Sequence, residues 1–165
     1  KILKKIFLIG MMGSGKTTTG KVLSKNLRFH FEDLDTTIES IFKLSTNEIF
    51  LKYGEKKFRD AETKALLNSE AEIISCGGGV ILNSENRSFI KKGVSFFLNV
   101  DLNELAMRLE HANNRPLLNS NNLKEGLESL WKKREDLYLD TADYVINIYN
   151  ESPNEIAQKI MEYIK

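Results

Sequence analysis

The sequence predicts an α/β protein in which a five-stranded parallel sheet carries helices on both faces, forming a three-layer sandwich. Five short apolar runs alternate with amphipathic segments along the 165 residues. The runs are apolar enough to be covered on both sides, as strands of parallel sheets are. Ligands of such sheets bind at the carboxyl ends of the strands, so motifs that directly follow a strand are the first candidates for a site.

The elements follow one another in a regular order. The predicted strands are residues 6–9, 29–31, 73–76, 94–98 and 144–148. Helical spacing of apolar residues predicts helices at about 17–27, 36–43, 46–53, 57–69, 84–91, 102–111, 123–139 and 154–164. Length and the scarcity of proline favour one domain over residues 1–165. The polar, asparagine-rich segment at about 111–122 is typical of a lid.

Composition narrows the class of protein. The chain has 24 basic and 23 acidic residues and a net charge of +1, which gives no support for a nucleic acid or a membrane surface as partner. No apolar stretch approaches the roughly 20 residues of a transmembrane helix. The single cysteine, Cys76, fits a reducing compartment, so we expect a cytoplasmic protein. The lack of an obvious apolar seam favours a monomer.

The first motif, Gly-Met-Met-Gly-Ser-Gly-Lys-Thr at 10–17, fits the phosphate-binding loop of nucleotide-binding proteins. Backbone N–H groups of such a loop lie at a helix N-terminus, where the helix dipole favours anions. Lys16 can reach the β- and γ-phosphates, and the Thr17 hydroxyl can hold Mg²⁺. The alternative is a glycine-rich turn that contains Lys-Thr by chance. The predicted nucleotide contacts in this motif are Gly13, Ser14, Gly15, Lys16, Thr17 and Thr18.

Two aspartates at i and i+2 follow the second predicted strand. Asp33 and Asp35 can both face the crevice at the carboxyl ends of the strands. One carboxylate can support Mg²⁺, usually through water. The other can orient an attacking hydroxyl or accept its proton. The alternative is a solvated loop in which Asp35 caps a helix that begins at Thr36.

Three glycines in succession, Gly77, Gly78 and Gly79, follow the third predicted strand. Such a run is entropically costly, so it indicates that a substrate or a phosphate approaches the bare backbone. The alternative is a tight turn between a strand and a helix. Cys76, directly before the run, is interpreted as a small buried residue and not as a nucleophile.

Three arginines allow both a functional and a structural interpretation. Arg59 can bind a substrate, or it can form helical ion pairs with Glu55 and Glu62. Arg134 can also bind a substrate, or it can lie on a solvated helical face. Arg115, in the predicted lid, can close over the γ-phosphate as an arginine finger in cis, or it can be a solvated loop residue.

Taken together, these motifs resemble those of the shikimate kinases, small P-loop kinases of the nucleoside-monophosphate-kinase-like fold. The phosphate-binding loop is common to many kinases, but the set of motifs in this order is specific. The resemblance covers essentially the whole chain and rests on residues 10–20, 33–35, 58–62, 77–80, 115–118 and 134–138.

The resemblance implies phosphoryl transfer from ATP to the 3-hydroxyl of shikimate, which gives 3-phosphoshikimate and ADP in chorismate and aromatic amino acid biosynthesis. By the same resemblance, Arg59 and Arg134 would bind the shikimate carboxylate. Asp35 would bind the ring hydroxyls and act as base or orienter. Backbone groups of the run 77–79 would add contacts to the substrate.

The same resemblance implies roles at the nucleotide end of the site. Lys16 and Arg115 would stabilise charge on the transferred phosphoryl group. Mg²⁺ would be held by Thr17 and, through water, by Asp33. Arg108 and the segment 150–153, with Pro153, would lie against the adenine.

Two other functions are compatible with parts of the pattern. The first is another small-molecule kinase of this fold, such as a gluconate kinase or a nucleoside-monophosphate kinase; the aspartate pair, the triple glycine and the single arginine of the Arg59 segment argue against it. The second is a nucleotide-binding regulatory module without phosphoryl transfer. Such a module is expected to have lost a base, a lid arginine or the lysine, yet Lys16, Asp35 and Arg115 are all present.

Overall fold

The structure, a computed structural model, describes residues 3–110 and 122–164. Five strands and seven helices follow one another in this part of the chain, with one short 3₁₀ helix at Val80–Leu82. The strands are β1 (Ile6–Ile9), β2 (Phe31–Asp33), β3 (Ile73–Ser75), β4 (Val94–Val100) and β5 (Tyr144–Ile148). The helices are α1 (Lys16–Leu27), α2 (Leu34–Phe42), α3 (Thr46–Asn68), α4 (Ser84–Ile90), α5 (Leu102–Leu109), α6 (Leu123–Thr141) and α7 (Pro153–Ile164).

The strands form one parallel sheet in the order β2-β3-β1-β4-β5. All four residues of the central strand β1 are buried, as expected for a strand covered on both faces. The carboxyl ends of β1, β2 and β3 therefore lie side by side at one edge of the sheet. The predicted five-stranded parallel α/β fold is confirmed.

Helices cover both faces of this sheet. Successive side chains of a strand point to opposite faces. On β4, the ring of Phe96 contacts Tyr163 of α7, with centroids 6.2 Å apart. The adjacent Phe97 stacks instead on Tyr138 of α6, at 4.9 Å. Helices α7 and α6 consequently lie on opposite faces, and α1 packs beside α7.

The second strand differs from its prediction. It spans residues 31–33 and not 29–31. Helix α1 ends with Arg28 in the left-handed conformation, at φ 57°, and the Ser24 hydroxyl donates a hydrogen bond to the Phe29 carbonyl. Residue 29 is thereby held at the end of the helix, and pairing with β3 begins only afterwards. Because of this shift, Asp33 is the last residue of the strand.

Helix α3 is broken at Gly54, between the two separate helices that the sequence predicts at 46–53 and 57–69. Gly54 has φ 86° and ψ 168°, so the segments before and after it are distinct helical pieces. Few residues other than glycine adopt this conformation. The second segment carries Arg59 and Glu62 towards the carboxyl edge of the sheet.

No helix in residues 3–110 and 122–164 is long and apolar enough to cross a membrane.

Replacing Gly54 by alanine tests the backbone break in α3. A Cβ atom at this position would meet no heavy atom within 4 Å, so the cost is purely conformational. We expect Gly54→Ala to lower the free energy of unfolding by about 1–3 kcal/mol in urea titrations. Gly126, inside the regular helix α6, is the matched control, and Gly126→Ala should be neutral or stabilise by up to about 1 kcal/mol. Equal effects of the two substitutions would contradict the assignment of strain to Gly54.

Candidate active site

The glycine-rich loop connects the carboxyl end of β1 to the first turn of α1. Gly15 has φ 91° and is the residue directly before the helix, where its left-handed conformation turns the chain. A Cβ atom at Gly10 would lie 2.8 Å from the Leu98 carbonyl oxygen, so this position has no room for a side chain. The backbone N–H of Ser14 donates to the Met11 carbonyl over 3.2 Å. The loop thus presents its backbone at a helix N-terminus, as anion-binding loops do.

The ammonium group of Lys16 lies across this loop. Its Nζ atom donates hydrogen bonds to the carbonyl oxygens of Gly10, at 2.7 Å, and Met11, at 2.9 Å. The side chain is largely buried, with 8% of its surface exposed. A cation is therefore held within the loop, at the place where phosphate oxygens would need charge compensation.

Three oxygen-bearing side chains meet at the carboxyl ends of β2 and β3. The Thr17 hydroxyl donates a hydrogen bond to Oδ2 of Asp33, and it lies 3.5 Å from the Ser75 hydroxyl. Hydroxyl and carboxylate oxygens next to a phosphate loop suit Mg²⁺, which binds one or two protein ligands and otherwise phosphate and water. Among the described residues, no three or more His, Cys, Asp or Glu side chains form a group that could hold a metal ion.

The helix cap at the start of α2 is Asp33 and not Asp35. Oδ1 of Asp33 accepts a hydrogen bond from the Thr36 N–H over 3.2 Å. Asp35 lies in the first turn of α2 and lines the cavity. The interpretation of Asp35 as the N-cap is therefore wrong, because α2 begins two residues earlier than predicted.

A cavity of about 510 Å³ joins these groups. It runs from the phosphate-binding loop to the start of α2 and the glycine run. The described residues that line it are Met12, Gly13, Ser14, Gly15, Lys16, Thr17, Thr18, Asp33, Asp35, Thr36, Glu39, Ser75, Cys76, Gly78 and Arg108.

The glycine run is the point at which four charged side chains approach the backbone. A Cβ atom at Gly77 would lie 2.7 Å from Oε2 of Glu62 and 2.9 Å from Oδ1 of Asp35. At Gly78 it would lie 3.1 Å from Nη1 of Arg134. At Gly79 it would lie 2.4 Å from Nη2 of Arg59. Side chains at these positions would displace the charged groups, which explains the glycines better than a tight turn alone.

Arg59 is held by two glutamates of its own helix. Its Nη1 lies 3.1 Å from Oε1 of the buried Glu62, and its Nε lies 3.5 Å from Oε1 of Glu55. The ion pairs considered from the sequence are therefore present. They do not exclude a second role, because they leave the guanidinium beside Gly79.

Glu62 is an acid in a low-dielectric environment. Its side chain is 1% exposed, and its Oε2 atom has no hydrogen-bond partner. Burial raises the pKa of this carboxyl to about 7 against the attraction of the Arg59 charge, and the charge of Asp35 adds to the increase.

Arg134 of α6 is buried, with 1% of its surface exposed. The interpretation of Arg134 as part of a solvated helical face is therefore wrong. Its Nη1 atom has no hydrogen-bond partner, and no described carboxylate forms an ion pair with it. Its other interactions are a hydrogen bond with the Tyr138 hydroxyl and the attraction of the Glu62 carboxyl. A buried charge is unfavourable unless its partners compensate it, and Nη1 still lacks one, so this guanidinium favours an anion beside Gly78.

The remaining predicted residues differ in their placement. Arg108 of α5 donates from Nη1 to the Gly13 carbonyl over 3.0 Å and pairs with Glu104, which places it beside the phosphate loop. Pro153 begins α7 and is not among the described residues that line the cavity. Arg115 and most of the predicted lid, residues 111–121, lie outside the described residues. Cys76 is buried, and burial raises the pKa of its thiol, as expected for a residue that is not a nucleophile.

Sequence reasoning did not select Ser75 as a site residue, and it treated Glu62 only as an ion-pair partner. Ser75 ends β3, directly before Cys76 and the glycine run, so its position after a strand was the available signal. Burial of Glu62 carried no such signal, because charged residues such as Asp60 and Lys64 lie on both sides of it in the sequence.

The pH dependence of unfolding tests the burial of Glu62. A carboxyl whose pKa is about 7 when folded, against an ordinary 4.5, stabilises the fold fully below pH 4.5 and loses this contribution as the pH rises to 7. The loss is on the order of 3 kcal/mol. We expect Glu62→Gln to remove it, so that the difference in unfolding free energy between pH 4.5 and pH 7.5 shrinks relative to the unsubstituted protein.

The readout is the change of the unfolding free energy with pH and not its value at one pH, because Glu62→Gln also removes the ion pair with Arg59. Glu55→Gln is the control: this half-exposed carboxylate contacts the same arginine, and its loss should leave the pH dependence in place. Parallel pH profiles for Glu62→Gln and the unsubstituted protein would contradict a buried titrating carboxyl.

Comparison with known proteins places this geometry in a family. The family model described as shikimate kinase matches residues 12–165. The shikimate kinase of Thermodesulfovibrio yellowstonii is 42% identical over 164 residues, covering 97% of this chain and 94% of the relative. That of Rippkaea orientalis is also 42% identical, over 96% of this chain and 87% of the relative.

Solved structures agree with these relatives. A shikimate kinase from Acinetobacter baumannii in complex with shikimate has a TM-score of 0.94 at 36% identity, covering 99% of this chain and 93% of that chain. A shikimate kinase from Aquifex aeolicus has a TM-score of 0.83 at 33% identity, over 97% and 95% of the two chains. A sugar kinase from Janibacter, 16% identical with a TM-score of 0.62, shares the fold alone. The chain belongs to the shikimate kinase family.

Proposed function

We propose that this chain transfers the γ-phosphoryl group of ATP to the 3-hydroxyl of shikimate, in the pathway to chorismate and the aromatic amino acids. The observation that carries the proposal is the pair of guanidinium groups at Gly78 and Gly79, one of them buried without a carboxylate partner. A small acceptor with a single carboxylate satisfies this arrangement through charge-assisted hydrogen bonds. Membership of the shikimate kinase family supports the same acceptor.

The phosphate groups of ATP would bind the backbone and lysine of the glycine-rich loop. Lys16 would exchange its hydrogen bonds to the loop carbonyls for contacts with the β- and γ-phosphates. Thr17 would be a direct ligand of Mg²⁺, and Asp33 would act through water. The ion, when bound, neutralises charge on the β- and γ-phosphate oxygens. Arg108 and Pro153 would flank the adenine.

The acceptor would bind between α3 and α6. Arg59 and Arg134 would hold its carboxylate, and backbone groups of Gly77, Gly78 and Gly79 would contact the ring substituents. Asp35, which lies within reach of Gly77, would accept the proton of the 3-hydroxyl. The hydroxyl oxygen then forms a bond to the γ-phosphorus as the bond to the β–γ bridging oxygen breaks, leaving ADP.

Such a reaction depends on positioning and on charge stabilisation, so no covalent nucleophile is required. We propose one domain over residues 1–165 with a lid at about 111–122, which would bring Arg115 to the transferred phosphoryl group. Closure of a lid excludes water, which otherwise competes with the acceptor.

We also propose the partners, the cellular location and the oligomeric state of the enzyme. The near-neutral charge of the chain supports small-molecule partners and no nucleic acid or membrane partner. The one cysteine, buried as a free thiol, supports a cytoplasmic location. We propose a monomer, since the sequence contains no obvious apolar seam.

Phosphoryl transfer from Mg·ATP to shikimate, with gluconate and AMP as parallel acceptors, tests the proposed function. We expect transfer to shikimate alone. Transfer to gluconate or AMP would support the assigned ATP-binding residues but contradict shikimate as the acceptor. ATP binding without transfer to any acceptor would favour a regulatory module.

Asp35→Asn separates phosphoryl transfer from nucleotide binding. The amide keeps the size of the side chain but accepts no proton, so we expect transfer to fall by two or more decades, about 3 kcal/mol or more of barrier. The affinity for ATP, measured by calorimetry, should stay within about twofold because Asp35 is not assigned a phosphate contact. Near-normal turnover would remove Asp35 from the role of base or orienter.

Arg59→Ala tests the carboxylate contact. We expect KM for shikimate to rise by at least about 100-fold, since a charge-assisted contact is lost and Glu62 is left without its cation. KM for ATP should change far less. Lys57→Ala, which removes an exposed cation from the same helix, should leave both constants unchanged. Equal changes in the two constants for Arg59→Ala would contradict the contact.

A further inference from the structure

Tyr138 lies one helical turn after Arg134 on α6 and is fully buried. Its hydroxyl donates a hydrogen bond to the carbonyl oxygen of Gly78. The ring is clamped by aromatic neighbours: its centroid lies 4.9 Å from that of Phe97 at an interplanar angle of 10°, and 6.3 Å from that of Trp131. The position of the hydroxyl is therefore fixed by packing as well as by the hydrogen bond.

The Gly78 carbonyl shares a planar peptide group with the N–H of Gly79. The bond is trans, since residues 3–110 and 122–164 contain no cis peptide bond, so the two groups point in opposite directions. A contact that fixes the carbonyl consequently fixes the direction of the N–H on the other side. Neither residue has a side chain of its own to hold the peptide, and glycine has wide conformational freedom.

The same helix also brings Arg134 to Gly78. Residues at i and i+4 lie on one face of a helix, so Arg134 and Tyr138 reach the glycine run together. Nη1 of Arg134 would lie 3.1 Å from a Cβ atom at Gly78. Burial raises the pKa of Tyr138 to about 12, with the charge of Arg134 acting in the opposite direction, and the phenol keeps its proton as a donor at neutral pH.

We propose that Tyr138 is a positioning residue for the acceptor: its hydroxyl orients the Gly78–Gly79 peptide so that the Gly79 N–H is directed at the acceptor, in register with the Arg134 guanidinium. Tyr138 does not touch the substrate in this arrangement. The inference rests on the proposed function, because it assigns the acceptor site to the glycine run. It adds a residue outside the cavity lining to the determinants of acceptor binding.

Tyr138→Phe tests the inference because it removes the hydroxyl and keeps the ring in its aromatic clamp. We expect KM for shikimate to rise roughly tenfold, since the Gly78 carbonyl loses its donor and the peptide its fixed orientation. KM for ATP, and hydrolysis of ATP without shikimate, should stay within about twofold. The midpoint of thermal unfolding should fall much less than for Trp131→Phe, which disturbs the clamp and keeps the hydrogen bond.

A second readout follows the peptide itself. In the unsubstituted protein we expect the ¹⁵N–¹H resonance of Gly79 to shift when shikimate is added, and in Tyr138→Phe we expect a clearly smaller shift at saturating shikimate. Tyr163→Phe makes the same chemical change in a half-exposed stacked tyrosine of α7 and should leave both readouts unchanged.

Three results would overturn the positioning role. The first is an unchanged KM for shikimate in Tyr138→Phe. The second is a parallel change in both KM values together with a large loss of thermal stability, which indicates a structural role only. The third is a Gly79 resonance that shifts as in the unsubstituted protein. Failure of the proposed function would be distinguishable, because the unsubstituted protein itself would then show no shikimate-dependent turnover.

Discussion

The buried guanidinium of Arg134 is the constraint on which the acceptor end of the site depends. A charge withdrawn from water is unfavourable for folding unless a partner compensates it. Among the described residues no carboxylate forms an ion pair with Arg134, and the attraction of Glu62 acts on it only at longer range. Its Nη1 atom has no hydrogen-bond partner, so the compensation of this cation is incomplete until a ligand binds. A charged group held in this way is pre-organised, so little reorganisation accompanies binding of an anion.

The two arginines of the site are not equivalent. Arg59 forms ion pairs with Glu62 and Glu55, whereas Arg134 forms none with a described carboxylate. Glycines make the arrangement possible, because side chains on the run 77–79 would occupy the space that the charged groups use. On the nucleotide side, Lys16 is likewise held by backbone carbonyls within its own loop. The protein therefore holds Lys16 through backbone carbonyls and Arg59 through carboxylate side chains.

Local patterns in the sequence predict the framework well, and tertiary contacts decide the rest. Strands β1 and β5 have the predicted bounds, because mostly apolar runs mark them, with Asn147 as the one polar residue. The start of α2 is shifted because Asp33 and not Asp35 caps the helix, through a hydrogen bond from the Thr36 N–H that periodicity does not reveal. Burial of Arg134 and Glu62 depends on helices packed from distant parts of the chain. Charged residues lie on both sides of each in the sequence, which is typical of a solvated face.

The affinity for shikimate compared with that for its methyl ester tests the central claim most directly. The ester keeps the ring and its three hydroxyls, and it replaces the carboxylate by a neutral group that is larger by one methyl. If the site is built around a buried cation that its protein partners compensate only in part, calorimetry should show the ester binding at least about 100-fold more weakly, a difference of about 3 kcal/mol. Equal affinities would contradict the account, because the guanidinium groups would then contribute nothing that depends on the charge of the acceptor.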